Sequence, residues 1–265
     1  MCLLVVASRV VADEPLIIGA NRDEVLDRPT VPLTVLDEGP PRVVGGRDEL
    51  SGGTWLALNE HGVCAGLTNQ PLGEAKDPAK RSRGELPLAL ARHRNASEAV
   101  EAFVEEFRPG DFNGAWLLVG DRTSLFFVDF TSARAVVRAL EPGIHVLENR
   151  PLGEASPKVD LARRMVGNPT DGDETVLAFR RVLVDHRIPE GDDRPSGASC
   201  VHLEGFGTRS SCIIRVPADA LPGLWVAPGP PCFAAYDRAP SLWVGSGRAP
   251  DKGDGDGDQS RRNGL

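Results

Sequence analysis

The sequence predicts an α+β fold built on antiparallel sheets, and three observations carry that reading. Apolar runs of strand length come in pairs joined by short polar turns. Amphipathic helical stretches are collected in separate blocks. The blocks then follow one another as strands, helices, strands, helices, strands. Segregation of this kind packs helices against antiparallel sheets, whereas a nucleotide-binding βαβ sheet alternates the two element types. No repeat or internal linker divides the chain, so residues 1–246 read as one domain. The stretch 247–265, rich in Gly, Asp and Arg, reads as a disordered tail.

The first seventy residues hold two strand pairs. Runs over 2–8 and 15–20 are separated by Val11-Ala12-Asp13-Glu14 and read as a hairpin. Thr54-Trp55-Leu56-Ala57-Leu58 and Val63-Cys64-Ala65-Gly66-Leu67 flank the turn Asn59-Glu60-His61-Gly62 and read as a second. Between them, Pro29, Pro32, Gly39, Pro40, Pro41, Gly45 and Gly46 predict loop with at most a short strand. Gly45-Gly46 and Gly52-Gly53 are expected in turns. Helices follow at 83–94, with Pro87 near the start where proline is tolerated, and after Asn95. Asn95 and Glu98 form an Asn-type capping box, and Val100, Phe103, Val104 and Phe107 recur at helical spacing until Pro109-Gly110. Four short strands fit 115–147, then helices at 158–166 and 174–185. After Cys200 the pattern returns to strands at 211–216, 232–235 and 242–244.

A net charge of -8 argues against a general nucleic-acid binder. No stretch reaches the ~20 apolar residues of a membrane span, and no basic region precedes the first apolar run, so a cytoplasmic protein is expected. The five cysteines (Cys2, Cys64, Cys200, Cys212, Cys232) are scattered and form no CxxC pair. The five histidines (His61, His93, His145, His186, His202) show no metal spacing either, so no metal site is expected. Asp254, Asp256 and Asp258 alternate like the start of a calcium loop, but Gln259 stands where that loop needs Gly and no Glu closes it.

Two places carry candidate chemistry. Cys2 directly follows Met1, and Met before so small a residue is a target for trimming, which would leave an N-terminal cysteine. A free Cys thiol titrates near ~8.5 and needs a base to become the nucleophilic thiolate. An α-amine titrating near ~7.7–8.0 on the same residue can be that base. Taken alone, Cys2 also reads as a small apolar residue opening a buried strand. The second place is Asn21-Arg22-Asp23-Glu24, directly after an apolar run. A hairpin would return this end to Cys2, where Asp23 could orient the amine and Arg22 could bind an anionic group or stabilise the thiolate. By itself the tetrapeptide reads as a solvated loop with a surface ion pair.

Met1-Cys2, Ala20-Asn21-Arg22-Asp23-Glu24 with Arg28-Pro29, Gly52-Gly53-Thr54-Trp55-Leu56, Leu67-Thr68-Asn69 and Arg83-Gly84-Glu85-Leu86 together resemble the NRDE family, which includes the eukaryotic transport and Golgi organisation proteins. That family in turn resembles the N-terminal-nucleophile hydrolases of the bile-salt hydrolase and penicillin V acylase group. The resemblance implies a four-layer αββα sandwich with Cys2 as nucleophile and Asp23 as catalytic carboxylate. It implies oxyanion-side roles for Asn69, with Thr68 as the rival in register, and for Asn149. It also implies an active-site cation at Arg209, with Asn21, Arg22 and Trp55 around the substrate. One position departs from the pattern: the acylase group carries an Arg three residues before its Asp, and here that residue is Ala20.

The function expected is therefore hydrolysis of a small acyl-amide at a non-peptide C–N bond, without a cofactor. The alternative implied by the same resemblance is a haem or lipid/acyl-CoA carrier using the same cleft. No Cys-Pro dipeptide or paired His supports haem. The sequence leaves the substrate and the oligomeric state open.

Overall fold

The computed structural model describes residues 2–71, 76–131, 133–239 and 242–243. The tail expected to be disordered lies outside the described residues. In chain order the first strands are β1 (Cys2–Ser8), β2 (Leu16–Val25), β3 (Thr30–Asp37), β4 (Val43–Asp48), β5 (Leu56–Asn59) and β6 (Cys64–Asn69). Helices α1 (Glu85–Leu90) and α2 (Ala96–Glu106) follow, then β7 (Ala115–Gly120), β8 (Leu125–Phe130), β9 (Ala135–Ala139) and β10 (Gly143–Leu147). Helices α3 (Pro157–Val166) and α4 (Gly172–Leu183) precede β11 (His202–Leu203), β12 (Phe206–Val216), β13 (Gly223–Ala227) and β14 (Asp237–Arg238).

These strands form two seven-stranded sheets. One runs β10-β1-β2-β12-β13-β14 with β11 beside β12; the other runs β3-β4-β5-β6-β7-β8-β9. Helices α3 and α4 cover the outer face of the first sheet through Leu3, Val5, Ile17, Phe179 and Val182. Helices α1 and α2 cover the second through Leu67, Leu86, Phe103, Phe112 and Phe130. A third apolar layer, with Leu4, Val6, Ile18, Leu56, Trp116 and Ile214, lies between the sheets. The architecture is the expected αββα sandwich. It explains why β1 reads as an unbroken apolar run: both of its faces are covered, so neither needs polar residues. Alternation along β1 sends Leu4 and Val6 inward between the sheets, and Leu3, Val5 and Ala7 outward to the helices.

Several elements differ from the sequence reading. The segment expected to be loop holds two strands, β3 and β4. Pro32 is accommodated because β3 is an edge strand and its register with β4 shifts between Val31 and Thr34. Gly45 and Gly46 lie inside β4 rather than in a turn. A Cβ on Gly46 would stand 1.9 Å from the Trp55 ring, so this glycine serves close packing. Strand β2 does not stop at Ala20 but carries residues 21–24 within it. Helix α1 is shorter than expected, which frees Arg83 and Gly84 to face Gly53: the Thr54 N–H donates to the Gly84 carbonyl at 2.9 Å. Residues 232–235 are turn rather than strand, as are Leu242 and Trp243, while Val244 is outside the described residues. The α2 cap is as expected, Asn95 Oδ1 accepting from the Glu98 N–H at 2.9 Å.

Candidate active site

Antiparallel pairing places Cys2 directly opposite Arg22, and β12 lies on the other side of β2 with Ser210 opposite Arg22 and Thr208 opposite Asp23. The register shifts between Thr208 and Ser210, leaving Arg209 as the extra residue of a β-bulge. The β1–β2 hairpin thus brings Asn21-Arg22-Asp23-Glu24 back to the chain start, where strand ends from both sheets open a cavity of about 380 Å³. Cys2, Arg22, Asp23, Trp55 and Asn69 are among its wall residues.

Asn149 and Thr68 adjoin that wall, Asn149 through bonds to Cys2 and Asn69 and Thr68 as the residue before Asn69. The Cys2 backbone N–H donates to Asn149 Oδ1 at 3.1 Å, and Asn149 Nδ2 donates to the Asn69 carbonyl at 2.5 Å. Asn149 therefore links the first residue of β1 to the last residue of β6, one from each sheet. Thr68 uses its hydroxyl to donate to the Glu148 carbonyl at 2.9 Å, and so serves as a tie between the sheets. Asn21 points away from the cavity: its Nδ2 donates to the Leu183 and Ser199 carbonyls at 2.9 and 2.8 Å. Arg209 is not brought to the wall; its Nη2 donates to the Arg28 carbonyl at 3.3 Å. The cationic side chains that interact with the Cys2 thiol are instead Arg22 and Arg83. Ala20, where the acylase group carries arginine, pairs with Leu4 within the apolar layer between the sheets.

Arg22 is the most constrained of these groups. Its side chain is 4% exposed, and its guanidinium carbon lies 4.5 Å from the Trp55 ring centroid. Nη2 pairs with Asp48 at 3.1 Å and reaches Glu24 at 3.5 Å. Nη1 is buried and, among the described residues, has no hydrogen-bond partner. Asp48 is the hub: Arg28 binds it through Nε at 2.5 Å and Nη2 at 3.1 Å, and the Leu50 and Ser51 N–H groups also donate to it. Burial alone would raise the Asp48 carboxyl, but Arg28, the Ser51 N–H and Arg22 hold it below the usual carboxylate range. Among the described residues, six cationic side chains (Arg22, Arg28, Lys76, Lys80, Arg81, Arg83) line the cavity against three acidic ones (Asp23, Glu24, Asp48). The cavity is thus positive within a chain of net charge -8.

Burial pushes the Cys2 thiol up, and the Asp23 charge adds to that rise; the N-terminal ammonium, then Arg22 and the Asp23 backbone N–H, pull it back. Thiolate formation here needs a base at hand. Asp23 is itself fully buried: Oδ1 accepts from the Thr208 hydroxyl at 2.6 Å, and burial raises its carboxyl. The largest opposing influence is Lys158, also buried, whose ammonium is lowered by burial and raised by Asp23. Lys158 was not singled out in the sequence. The signal available was a lysine in the first turn of a helix, the end at which the helix dipole disfavours a cation. Glu148 was also missed. It is 3% exposed, paired with Arg194 at 3.0 Å, and bonded by the hydroxyl of Ser156, the α3 cap residue.

A family model described as Transport and Golgi organisation 2 matches residues 1–220. No curated protein matches the chain. Among solved structures, an N-acylethanolamine-hydrolyzing acid amidase ortholog from Caenorhabditis elegans superposes with a TM-score of 0.55 at 14% identity, covering 80% of this chain and 92% of its own. Penicillin V acylase from Agrobacterium tumefaciens gives 0.51 at 14% identity, with 84% and 82% covered. A variant of the conjugated bile acid hydrolase from Clostridium perfringens gives 0.50 at 12% identity, with 90% and 96% covered. At these identities the similarity is one of fold. Among the described residues, no helix is long and apolar enough to cross a membrane.

Proposed function

The chain belongs to the Transport and Golgi organisation 2 family, and we propose that it is an N-terminal cysteine amidohydrolase that cleaves a small acyl-amide carrying an anionic group. One observation carries this reading. Cys2 stands at the cavity end of a central strand, with its own nitrogen held by Asn149 Oδ1 and Arg22 directly opposite. On removal of Met1 that nitrogen becomes an α-amine already positioned on the residue whose thiol it must deprotonate.

The amine takes the thiol proton, and the thiolate attacks the amide carbon. The carbonyl oxygen becomes an oxyanion, for which Asn69 on the wall and the remaining N–H of Asn149 Nδ2 are the donors. The C–N bond then breaks as the ammonium returns its proton to the departing amine, leaving a thioester on Cys2. Water, deprotonated by the same amine, hydrolyses the thioester and restores the thiol. Asp23 favours the ammonium form of the amine between these steps, and Arg22 presents Nη1 to the anionic part of the substrate.

A panel of acyl-amides with neutral and anionic groups, assayed with wild type and Cys2→Ala, tests the proposal. Turnover confined to the wild type and faster for the anionic members supports it. Binding of haem or an acyl-CoA that saturates, survives Cys2→Ala and occurs without turnover across the panel would replace it with a carrier function.

A further inference from the structure

Four residues from three separate segments meet on the helix-covered side of the first sheet: His186 after α4, Cys200 just before and His202 at the start of β11, and Cys232 in the turn after β13. One ligand atom from each lies within 4.8 Å of all the others. Cys200 Sγ is 3.7 Å from Cys232 Sγ and 3.6 Å from His202 Nε2, and His202 Nε2 is 3.2 Å from Cys232 Sγ. The His186 and His202 rings lie 5.0 Å apart, centroid to centroid.

We propose that His186, Cys200, His202 and Cys232 form a structural Cys2His2 site for Zn²⁺. A zinc ion about 2.3 Å from each sulfur and about 2.0–2.1 Å from each nitrogen, in tetrahedral geometry, sets sulfurs about 3.8 Å apart and sulfur about 3.6 Å from nitrogen. The Cys200–Cys232 and Cys200–His202 separations match those edges, the His202–Cys232 separation is shorter, and His186 lies within 4.8 Å of the other three ligand atoms. Two soft thiolates with two imidazoles select zinc over magnesium or calcium, which take oxygen ligands. Four protein ligands leave no open position, so the site holds structure and does not activate water. Binding displaces the two thiol protons and joins the metal to two thiolates and two neutral imidazoles.

The placement gives the site a task. The Ser199 carbonyl, one residue before Cys200, accepts from Asn21 Nδ2 at 2.8 Å. The Val201 N–H donates to Thr208 Oγ1 at 2.9 Å, and Thr208 donates in turn to Asp23 Oδ1 at 2.6 Å. The Cys200 N–H is tied to the Asp185 carbonyl at 2.9 Å, beside His186. A metal joining these segments braces the stretch that packs behind residues 21–23. None of the four ligands is among the cavity wall residues, so the brace positions the site without touching substrate. Of the ligands at positions 186, 200, 202 and 232 only Cys200 and His202 are close in sequence, too little for spacing to show a metal motif.

The test uses the full chain, purified under reducing conditions and stripped with a chelator, then titrated with Zn²⁺ and with Co²⁺. The proposal expects about one tight equivalent of Zn²⁺ per chain and, for Co²⁺, the intense visible bands and thiolate charge transfer of a tetrahedral S2N2 site. Zn²⁺ should raise the melting temperature of the wild type. Cys232→Ser and His186→Ala should each weaken binding beyond the roughly 10–100-fold lost with an outer-shell partner. Cys212→Ser should leave it unchanged. Wild-type binding well below one equivalent, an octahedral Co²⁺ spectrum, or full binding retained by a folded Cys200→Ser/Cys232→Ser variant would overturn the proposal. So would a Cys200–Cys232 disulfide in the reduced preparation.

Discussion

Residues 21–24 form one short stretch of β2, yet its two faces follow different physics. The face toward the cavity carries Arg22 and Glu24, joined with Asp48 and Arg28 in a network of paired, partly exposed charges. The other face carries Asn21 and Asp23, held by the Leu183, Ser199 and Thr208 groups and influenced by buried Lys158, with Asp23 also reaching the cavity wall. Pairing depresses a carboxylate on the first face and burial raises one on the second. Strand alternation, the property that separates core from surface in a half-exposed sheet, here separates a paired charge network from a buried one.

The largest expected effect lies on the buried face. Lys158→Met takes away the largest of the charges that favour ionised Asp23 and, with both groups buried, is expected to cost about 3–5 kcal/mol of stability by urea unfolding. A loss below about 1 kcal/mol would show that Asp23 does not depend on Lys158. Next comes Asn149, which joins the two sheets at the Cys2 nitrogen. Asn149→Ala should lower kcat roughly 10²–10³-fold, about 2.7–4 kcal/mol, as removal of an oxyanion donor does. Asn149→Asp keeps the acceptor for the Cys2 nitrogen while losing the donor. If it matched the wild type, the donor role would be wrong.

Smaller again is Arg22→Met on the cavity face. It should reduce kcat/KM for an anionic substrate by about 10–100-fold, the value of a hydrogen bond to a charged group, and leave a neutral analogue nearly unchanged. Equal losses for both substrates would remove Arg22 from recognition.

The smallest effect is in pH dependence, where the two carboxyls should behave oppositely. The Asp48 pKa is depressed by folding, so its contribution is present above the ordinary value near ~3.9 and is lost as pH falls through the lower folded value. The Asp23 pKa is raised, so its contribution is full below that ordinary value and is lost as pH rises through the higher folded value. Unfolding free energies measured against pH for Asp48→Asn and Asp23→Asn, each relative to wild type, should therefore slope in opposite directions. The same slope for both would contradict the assignment of one face as paired and the other as buried.

Much of the fold was legible because it follows local rules. The β1–β2 hairpin, the β5–β6 pair, the Asn95 cap and the amphipathic α3 and α4 each announce themselves through period, turn or cap residues. β3 and β4 were hidden because Pro32, Gly45 and Gly46 are loop residues by composition. Only the edge position of β3 and the pressure of the Trp55 ring on Gly46 make them compatible with strands. At the candidate site, Cys2 and residues 21–24 could be brought together by hairpin arithmetic alone. Asp48, Lys158 and the His186, Cys200, His202, Cys232 cluster could not, since their neighbours are set by packing between segments far apart in sequence.

The central claim is that Cys2 acts as an N-terminal nucleophile. Its most direct test is mass spectrometry of the active protein quenched during turnover of an acyl-amide. The account predicts an N-terminal peptide that begins at Cys2 and carries one acyl group, released by hydroxylamine and missing in Cys2→Ala. An active protein that retains Met1, or an acyl group found on Cys64, Cys200, Cys212 or Cys232 instead, would contradict it.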